Sequence, residues 1–229
     1  MTARTTRCTD YWEKKLRDRG WACIAGADEA GRGSLFGPVY GAAVILDPRR
    51  PLEGLRDSKQ LTAQQRERLA ERIREAARAW AVAAVDAFVI DAVNILQASR
   101  LAVKRAIEQL RVRPDCLLLD AITVDLSLPQ FPLVHGDARC QAIAAASILA
   151  KVERDAAMRE WDRVYPQYGL ARHKGYPAAE HLQALAAYGP TLHHRFSYRP
   201  VREACSPALR RLLAMREQLH FVWKPGLMV

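Results

Sequence analysis

Three short stretches hold carboxylates that a fold could gather: Asp28-Glu29, Asp120 and Asp137. Each adjoins an apolar run. Each is therefore expected at the end of a strand or the start of a helix, where α/β sheets collect their ligands. Carboxylates brought together repel one another, and a hard divalent cation with oxygen ligands removes that cost. Two such ions can clamp the attacking and leaving oxygens of a phosphodiester displacement. The residues taken together therefore point to a Mg²⁺-binding cluster. Taken singly, each has a plainer reading: Asp137 as an N-cap, Asp120 as a strand-ending turn residue. Successive strand residues face opposite ways, so Asp28 and Glu29 can share one site only if the strand ends or bulges there. The following Ala30-Gly31-Arg32-Gly33 offers such an ending. Gly31-Arg32-Gly33 permits close backbone approach to phosphate or sugar. By itself it reads equally as a tight turn, and no dinucleotide fingerprint is present.

The elements that must position these groups can be read from apolar spacing. Trp21–Ala27, Val39–Leu46, Ala81–Val89, Cys116–Leu119 and Phe131–Val134 read as strands. Cys116–Leu119 is continuously apolar, as a strand buried on both faces should be. Thr62 and Gln65 form a capping box, followed at helical spacing by Leu69, Ile73, Ala76 and Trp80. Further helices are expected over Val93–Leu110, Ala138–Trp161 (with Asp137 at its N-cap), Pro177–Tyr188 and Ser206–Leu219. The first three strands suit an antiparallel start. The whole predicts an α/β fold: a mixed five-stranded sheet flanked by helices, with a C-terminal helical extension. Residues 1–20 read as an arm or short helix, 21–201 as the main domain and 202–229 as a helical tail packed on it.

The chain of 229 residues carries 35 Lys+Arg against 25 Asp+Glu, a formal net charge of +10. That excess favours a polyanionic partner, nucleic acid before an anionic membrane, although a GC-rich genome writing Arg for Lys would leave the same mark. The five cysteines are odd in number and show no C-x-x-C spacing, so neither a disulfide framework nor a zinc site is suggested. A reducing cytosol fits best. The longest uncharged runs, Gly33–Leu46 and His181–His194, are too short to span a bilayer. The N-terminus has no apolar stretch of the secretory kind. Residues 171–202 hold five Lys/Arg against Glu180 alone, which phosphate contacts would explain and a solvated face equally allows.

The motifs carry more than their chemistry. Gly26-Ala27-Asp28-Glu29-Ala30-Gly31-Arg32-Gly33 with Gly37-Pro38-Val39 resembles the opening motif of bacterial ribonuclease HII. The resemblance continues through Asp57-Ser58-Lys59-Gln60-Leu61, Asn94-Ile95-Leu96-Gln97-Ala98 and Gly136-Asp137-Ala138. It extends over residues 144–155, His173-Lys174-Gly175-Tyr176-Pro177 and His194-Arg195-Phe196-Ser197-Tyr198. These motifs stand in family order from about residue 21 to 201.

This resemblance implies an RNase H-like fold, two Mg²⁺ or Mn²⁺ ions, and cleavage of RNA–DNA hybrids. It also implies cutting 5′ of single ribonucleotides embedded in duplex DNA, leaving 3′-hydroxyl and 5′-phosphate ends. Asp28, Glu29, Asp120 and Asp137 match the catalytic, metal-holding carboxylates. Gly31, Arg32 and Gly33 match the loop that senses the 2′-hydroxyl, and Tyr176 the ring at the ribose–deoxyribose step. Lys59, Ser147, Lys151 and Lys174 are further candidate substrate contacts, and Arg195 is read with Lys174 as a phosphate contact. Lys151 could instead pair with Asp155 one helical turn on. His135, His181, His193 and His194 read as surface or structural residues. The implied partners are hybrid and ribonucleotide-containing duplex, with a sliding clamp possible, for a cytoplasmic monomer. Two departures stand out: Ser34-Leu35-Phe36 places a bulky ring where the family usually has Ala, and Ala121 follows Asp120 where Gly is commoner. Two other readings stand beside this one. One is a related metal nuclease, such as type-three ribonuclease H, for whose extra N-terminal domain the twenty residues before the first strand leave no room. The other is a non-catalytic hybrid-binding module, against which the retained carboxylates speak.

Overall fold

The computed structural model describes residues 8–212. Helix α1 (Tyr11–Arg17) precedes strands β1 (Ile24–Ala30) and β2 (Val39–Ile45). Then come α2 (Ala63–Ala76), β3 (Ala79–Val85), α3 (Ala87–Val93), α4 (Ile95–Glu108), β4 (Cys116–Asp120) and β5 (Gln130–Leu133). After these come α5 (Gln141–Val164), α6 (Leu170–His173), α7 (Ala179–Tyr188) and α8 (Arg199–Glu203). The strands form one sheet in the order β3-β2-β1-β4-β5. β1, β2 and β3 pair antiparallel, and β1, β4 and β5 pair parallel, which is the mixed sheet expected.

The sheet is covered on both faces, and this explains its sequence. Gly26, Ala42, Val44 and Leu118 face α5, whereas Ala27, Ala43, Leu117 and Leu119 face α4. Central strands enclosed this way need apolar residues at every position. Two glycines let the helices lie close. A methyl group on Gly26 would come within 2.2 Å of the Ala142 backbone, and one on Gly41 within 2.4 Å of the α4 backbone at Ala102 and Val103. Edge strand β3 alternates buried and exposed residues, as a strand with one solvated face should.

Four sequence expectations need correction. Trp80 is not on the capped helix: α2 stops at Ala76, and Trp80 lies on β3, facing outward under the Arg74 guanidinium. The strand expected over Ala81–Val89 ends at Val85, because Asp86 caps a new helix by accepting the Val89 N–H at 3.0 Å. The helix expected over Val93–Leu110 is two helices. Asn94 takes a left-handed φ of 70° between them, and its side chain accepts the Leu96 and Gln97 N–H groups. Finally, Asp137 is not an N-cap. It sits in a short 3-10 turn, Gly136–Ala138, and α5 starts later with Cys140 at its cap position. The Thr62–Gln65 capping box is present as expected. Residues 207–212 are helical, and the remainder of the helix expected over Ser206–Leu219 lies outside the described residues. Among the described residues, no helix is long and apolar enough to cross a membrane.

Candidate active site

The site forms where parallel pairing between β1 and β4 ends, at Ala27 and Leu119. Asp28 continues β1 on the face that packs against α5, and Asp120 ends β4 on the same face. Asp137 enters from the turn ahead of α5. Carboxylate oxygens of Asp28, Asp120 and Asp137 all lie within 4.8 Å of one another. Glu29 follows Asp28 in regular strand geometry, with no bulge. It therefore falls on the α4 face, opposite Gly41, and is held at 3.2 Å by Arg32. The question posed by the adjacent pair is thus answered by alternation: three carboxylates cluster, and Glu29 reaches the same cleft from the other side of the sheet.

That cleft encloses about 580 Å³ and is lined by Asp28, Glu29, Asp120, the Gly31–Gly33 loop and Tyr176, with Ser58, Lys59, Ser147 and Lys151 among the remaining wall residues. Its electrostatics are those of charges confined together. Burial pushes the Asp28 carboxyl well above the usual range, and the negative charges of Glu29 and Asp120 add to the effect. Burial likewise raises Glu29, against the pull of Arg32. Burial raises Asp120 as well, partly offset by the Gly136 N–H donated to it at 2.7 Å. The Lys59 ammonium stands 3.3 Å from Asp137, and despite partial burial its pKa is raised by Asp137, Asp57 and Asp28. Buried oxygen donors that repel one another suit a hard divalent cation.

The remaining candidates divide. Ser147 is buried, 3.1 Å from the Ser58 hydroxyl, and it also hydrogen-bonds Asp28. Lys151 lines the cleft but is paired with Asp155 at 2.8 Å, so the structural pairing holds. Lys174 is not brought to the cleft wall: its ammonium turns back to the Ala171 carbonyl. Arg195 is overturned as a phosphate contact. It is fully buried, donating to the Gly37 carbonyl at 3.0 Å and the Arg32 carbonyl at 2.8 Å. Of the histidines, His181 and His194 are buried and bonded to each other. Phe36 is fully enclosed by Trp161, Tyr165, His193 and His194, so the bulky departure from the family pattern packs behind the loop.

The sequence reading missed what holds the loop. Arg154 is fully buried beneath Gly31, where a methyl group would collide with its Nε at 2.3 Å. The same guanidinium lies 4.8 Å from the Tyr176 ring centre and donates to the Lys174 carbonyl. Arg195 and the Tyr198 hydroxyl both donate to the Arg32 carbonyl. The glycine loop and the tyrosine are thereby fastened to one support. A signal for Arg154 existed: Ser147, Lys151 and Arg154 follow at i, i+4 and i+7 on one helical face. For Arg195 no local signal distinguishes burial from exposure.

Comparison with known proteins gives the chain a family. Residues 25–201 match the family model for ribonuclease HII. The chain is 57% identical over 196 residues to "Ribonuclease HII" of Solibacter usitatus, covering 86% of both chains. It is 53% identical to that of Koribacter versatilis, covering 88% of this chain and 79% of the relative. Among solved structures, ribonuclease H2 of Pyrococcus horikoshii superposes with a TM-score of 0.69 at 27% identity, covering 80% of this chain and 97% of that one. The Archaeoglobus fulgidus RNase HII, solved in complex with PCNA, gives 0.67 at 26%, covering 82% and 99%. A manganese-containing ribonuclease HIII shares the fold, with a TM-score of 0.64 at 19% identity over 83% of this chain and 70% of that one. On a family match that begins within β1 and ends within α8, the chain belongs to the ribonuclease HII family.

Proposed function

We propose that this chain is an endoribonuclease that hydrolyses the RNA strand of RNA–DNA hybrids. It also cuts 5′ of single ribonucleotides embedded in duplex DNA, leaving 3′-hydroxyl and 5′-phosphate ends. The observation that carries this reading is the convergence of Asp137 on Asp28 and Asp120, which line a cleft together with the Gly31–Gly33 loop and Tyr176.

The donor set fits Mg²⁺ or Mn²⁺, being all carboxylate oxygen, with Asp28 and Asp137 buried and Asp120 half-buried, and mutually repelling. When bound, two such ions supply the positive charge that steadies the attacking and leaving oxygens. Asp28, Asp120 and Asp137 would hold them, with Glu29 as the fourth carboxylate. The chain's other residues bind and orient the substrate. Lys59 and Lys151 meet backbone phosphate, and Ser147 steadies Asp28. The close-approach backbone at Gly31–Gly33 reads the 2′-hydroxyl that separates RNA from DNA. Tyr176 packs on the deoxyribose that follows.

The Archaeoglobus fulgidus relative, solved with PCNA, supports a sliding clamp as a partner of this chain too. The described cysteines are all free thiols, in keeping with a reducing cytoplasm.

The test is cleavage, with Mg²⁺, of a duplex carrying one ribonucleotide beside a continuous RNA–DNA hybrid. Nicking 5′ of the ribonucleotide with 3′-hydroxyl ends is the expected result. Cleavage of the hybrid alone would remove the single-ribonucleotide activity from this proposal, and cleavage of neither would overturn it.

A further inference from the structure

Helix α5 carries Ser147, Lys151 and Arg154, and the turn holding Asp137 leads straight into it. A helix starts with four backbone N–H groups that lack partners within it or depend on its cap. At α5 two of them are met from outside the helix. The Gln141 N–H donates to the Thr9 carbonyl at 3.2 Å, and the Ala142 N–H donates to the Glu13 carboxylate at 2.7 Å. The Ala144 N–H makes the first bond inside the helix, to the Cys140 carbonyl at 2.9 Å. Two of these N–H groups are therefore met by the N-terminal segment; Glu13 lies 129 residues before Ala142.

That segment is fastened around the same point. Thr9 pairs with Cys140 in an isolated parallel bridge, and the Thr9 N–H donates to the Arg139 carbonyl at 3.4 Å. The Cys140 thiol donates to the same Glu13 oxygen at 3.4 Å. Glu13 is only 3% exposed, and Leu16 one turn on packs with Cys140, Ala142, Ile143 and Leu133. The Cys140 N–H in turn donates to the Gly136 carbonyl at 2.8 Å, closing the turn that holds Asp137. A buried anion at a helix start also meets the positive end of its dipole.

We infer that Glu13 is a positioning residue for the Asp137 metal ligand, acting through the first turn of α5, which it caps from a separate helix. The inference rests on the metal reading proposed above.

The experiment is Mn²⁺ titration by calorimetry of the full chain, with thermal unfolding measured alongside. Glu13→Ala is expected to weaken Mn²⁺ binding about tenfold, the scale on which supporting residues act on metal ligands. Glu13→Gln keeps an oxygen acceptor for Ala142 and is expected to stay within about twofold of the parent. If Glu13→Ala does not fold, Glu13→Asp decides, since its shorter arm withdraws the carboxylate from Ala142; a several-fold loss of affinity supports the inference. Unchanged affinity in the folded Glu13 variant, with only Tm reduced, overturns the inference alone. A parent chain that takes up no Mn²⁺, or takes it up as well after Asp137→Asn, overturns the metal reading and this inference with it.

Discussion

The Nε2 atoms of His181 and His194 lie 3.2 Å apart, with both rings fully buried behind the glycine loop. Their protons are ordered by what surrounds them. The Thr191 N–H donates to His194 Nδ1 at 2.9 Å, so His194 carries its proton on Nε2 and gives it to His181. His181 must then carry its own proton on Nδ1, which donates to the Tyr176 carbonyl at 3.0 Å. The chain of bonds works only while both rings are neutral, and it fixes the backbone of the candidate junction-reading tyrosine.

Burial accordingly lowers His181 to about 4 and His194 to about 3, each against an ordinary value of 6.5. Unfolded histidines bind protons first, so this pair's contribution to stability is full above pH 6.5 and is lost as pH falls toward 4. Denaturant unfolding at pH 7.5 and pH 5 should show it. The His194→Leu variant should lose about 1–3 kcal/mol at pH 7.5, because it leaves polar partners buried and unmatched. It should also show a smaller further loss at pH 5 than the parent. An equal acid loss in parent and variant would refute the assignment.

Asp28→Asn should abolish cleavage while hybrid binding is retained. It should also stabilise the metal-free protein by about 1 kcal/mol, because a buried, repelling charge is removed. The sign with pH is opposite to that of the histidines. A carboxyl raised by burial costs stability once ionised, so its penalty is full above the raised value and vanishes as pH falls to the ordinary carboxylate range. The variant's advantage should therefore shrink on acidification. Near-normal turnover would sink the assignment.

Affinity for duplex should fall steeply with salt. Lys59→Ala, removing an exposed ammonium at the cleft, should flatten the slope of log K against log salt by about one unit. Arg195→Ala should leave that slope unaltered. It should instead cost about 2–3 kcal/mol of stability, because the Gly37 and Arg32 carbonyls lose a buried donor.

Tyr176→Ala should strongly lower cleavage at a single ribonucleotide and lower cleavage of a continuous hybrid less. There a ribose hydroxyl would crowd a ring that packs on deoxyribose. Equal losses on both substrates, with a reduced Tm, would mean that Tyr176 serves only to pack against Arg154 and Gly33.

Ala121 occupies a left-handed φ of 53° directly after Asp120. An alanine there is strained by about 1–2 kcal/mol, partly balanced by the greater unfolded freedom of glycine. Ala121→Gly should therefore raise stability by up to about 1 kcal/mol in chemical denaturation with Mg²⁺ absent. A destabilised variant would count against the strain.

The sequence by itself determined the local chemistry and the family. Apolar runs broken by Asp28, Asp120 and Asp137 predicted carboxylates at element ends, which holds for Asp120 whereas β1 runs on through Asp28 to Ala30, and the Thr62–Gln65 box marked a helix start, because both signals lie within a few residues of chain. Only the tertiary structure decided which partners those residues meet. Asp137 and a helix N-cap look alike in sequence; the start of α5 is supplied instead by Glu13 and Thr9, brought across the fold by docking of α1. Arg195 reads as a surface cation because arginines usually are, yet two distant carbonyls and Tyr198 enclose it. Trp80 matched a helical stripe, but the β2–β3 register claimed it for a strand. In each case local spacing admits two outcomes of similar energy, and long-range burial and hydrogen bonding select one.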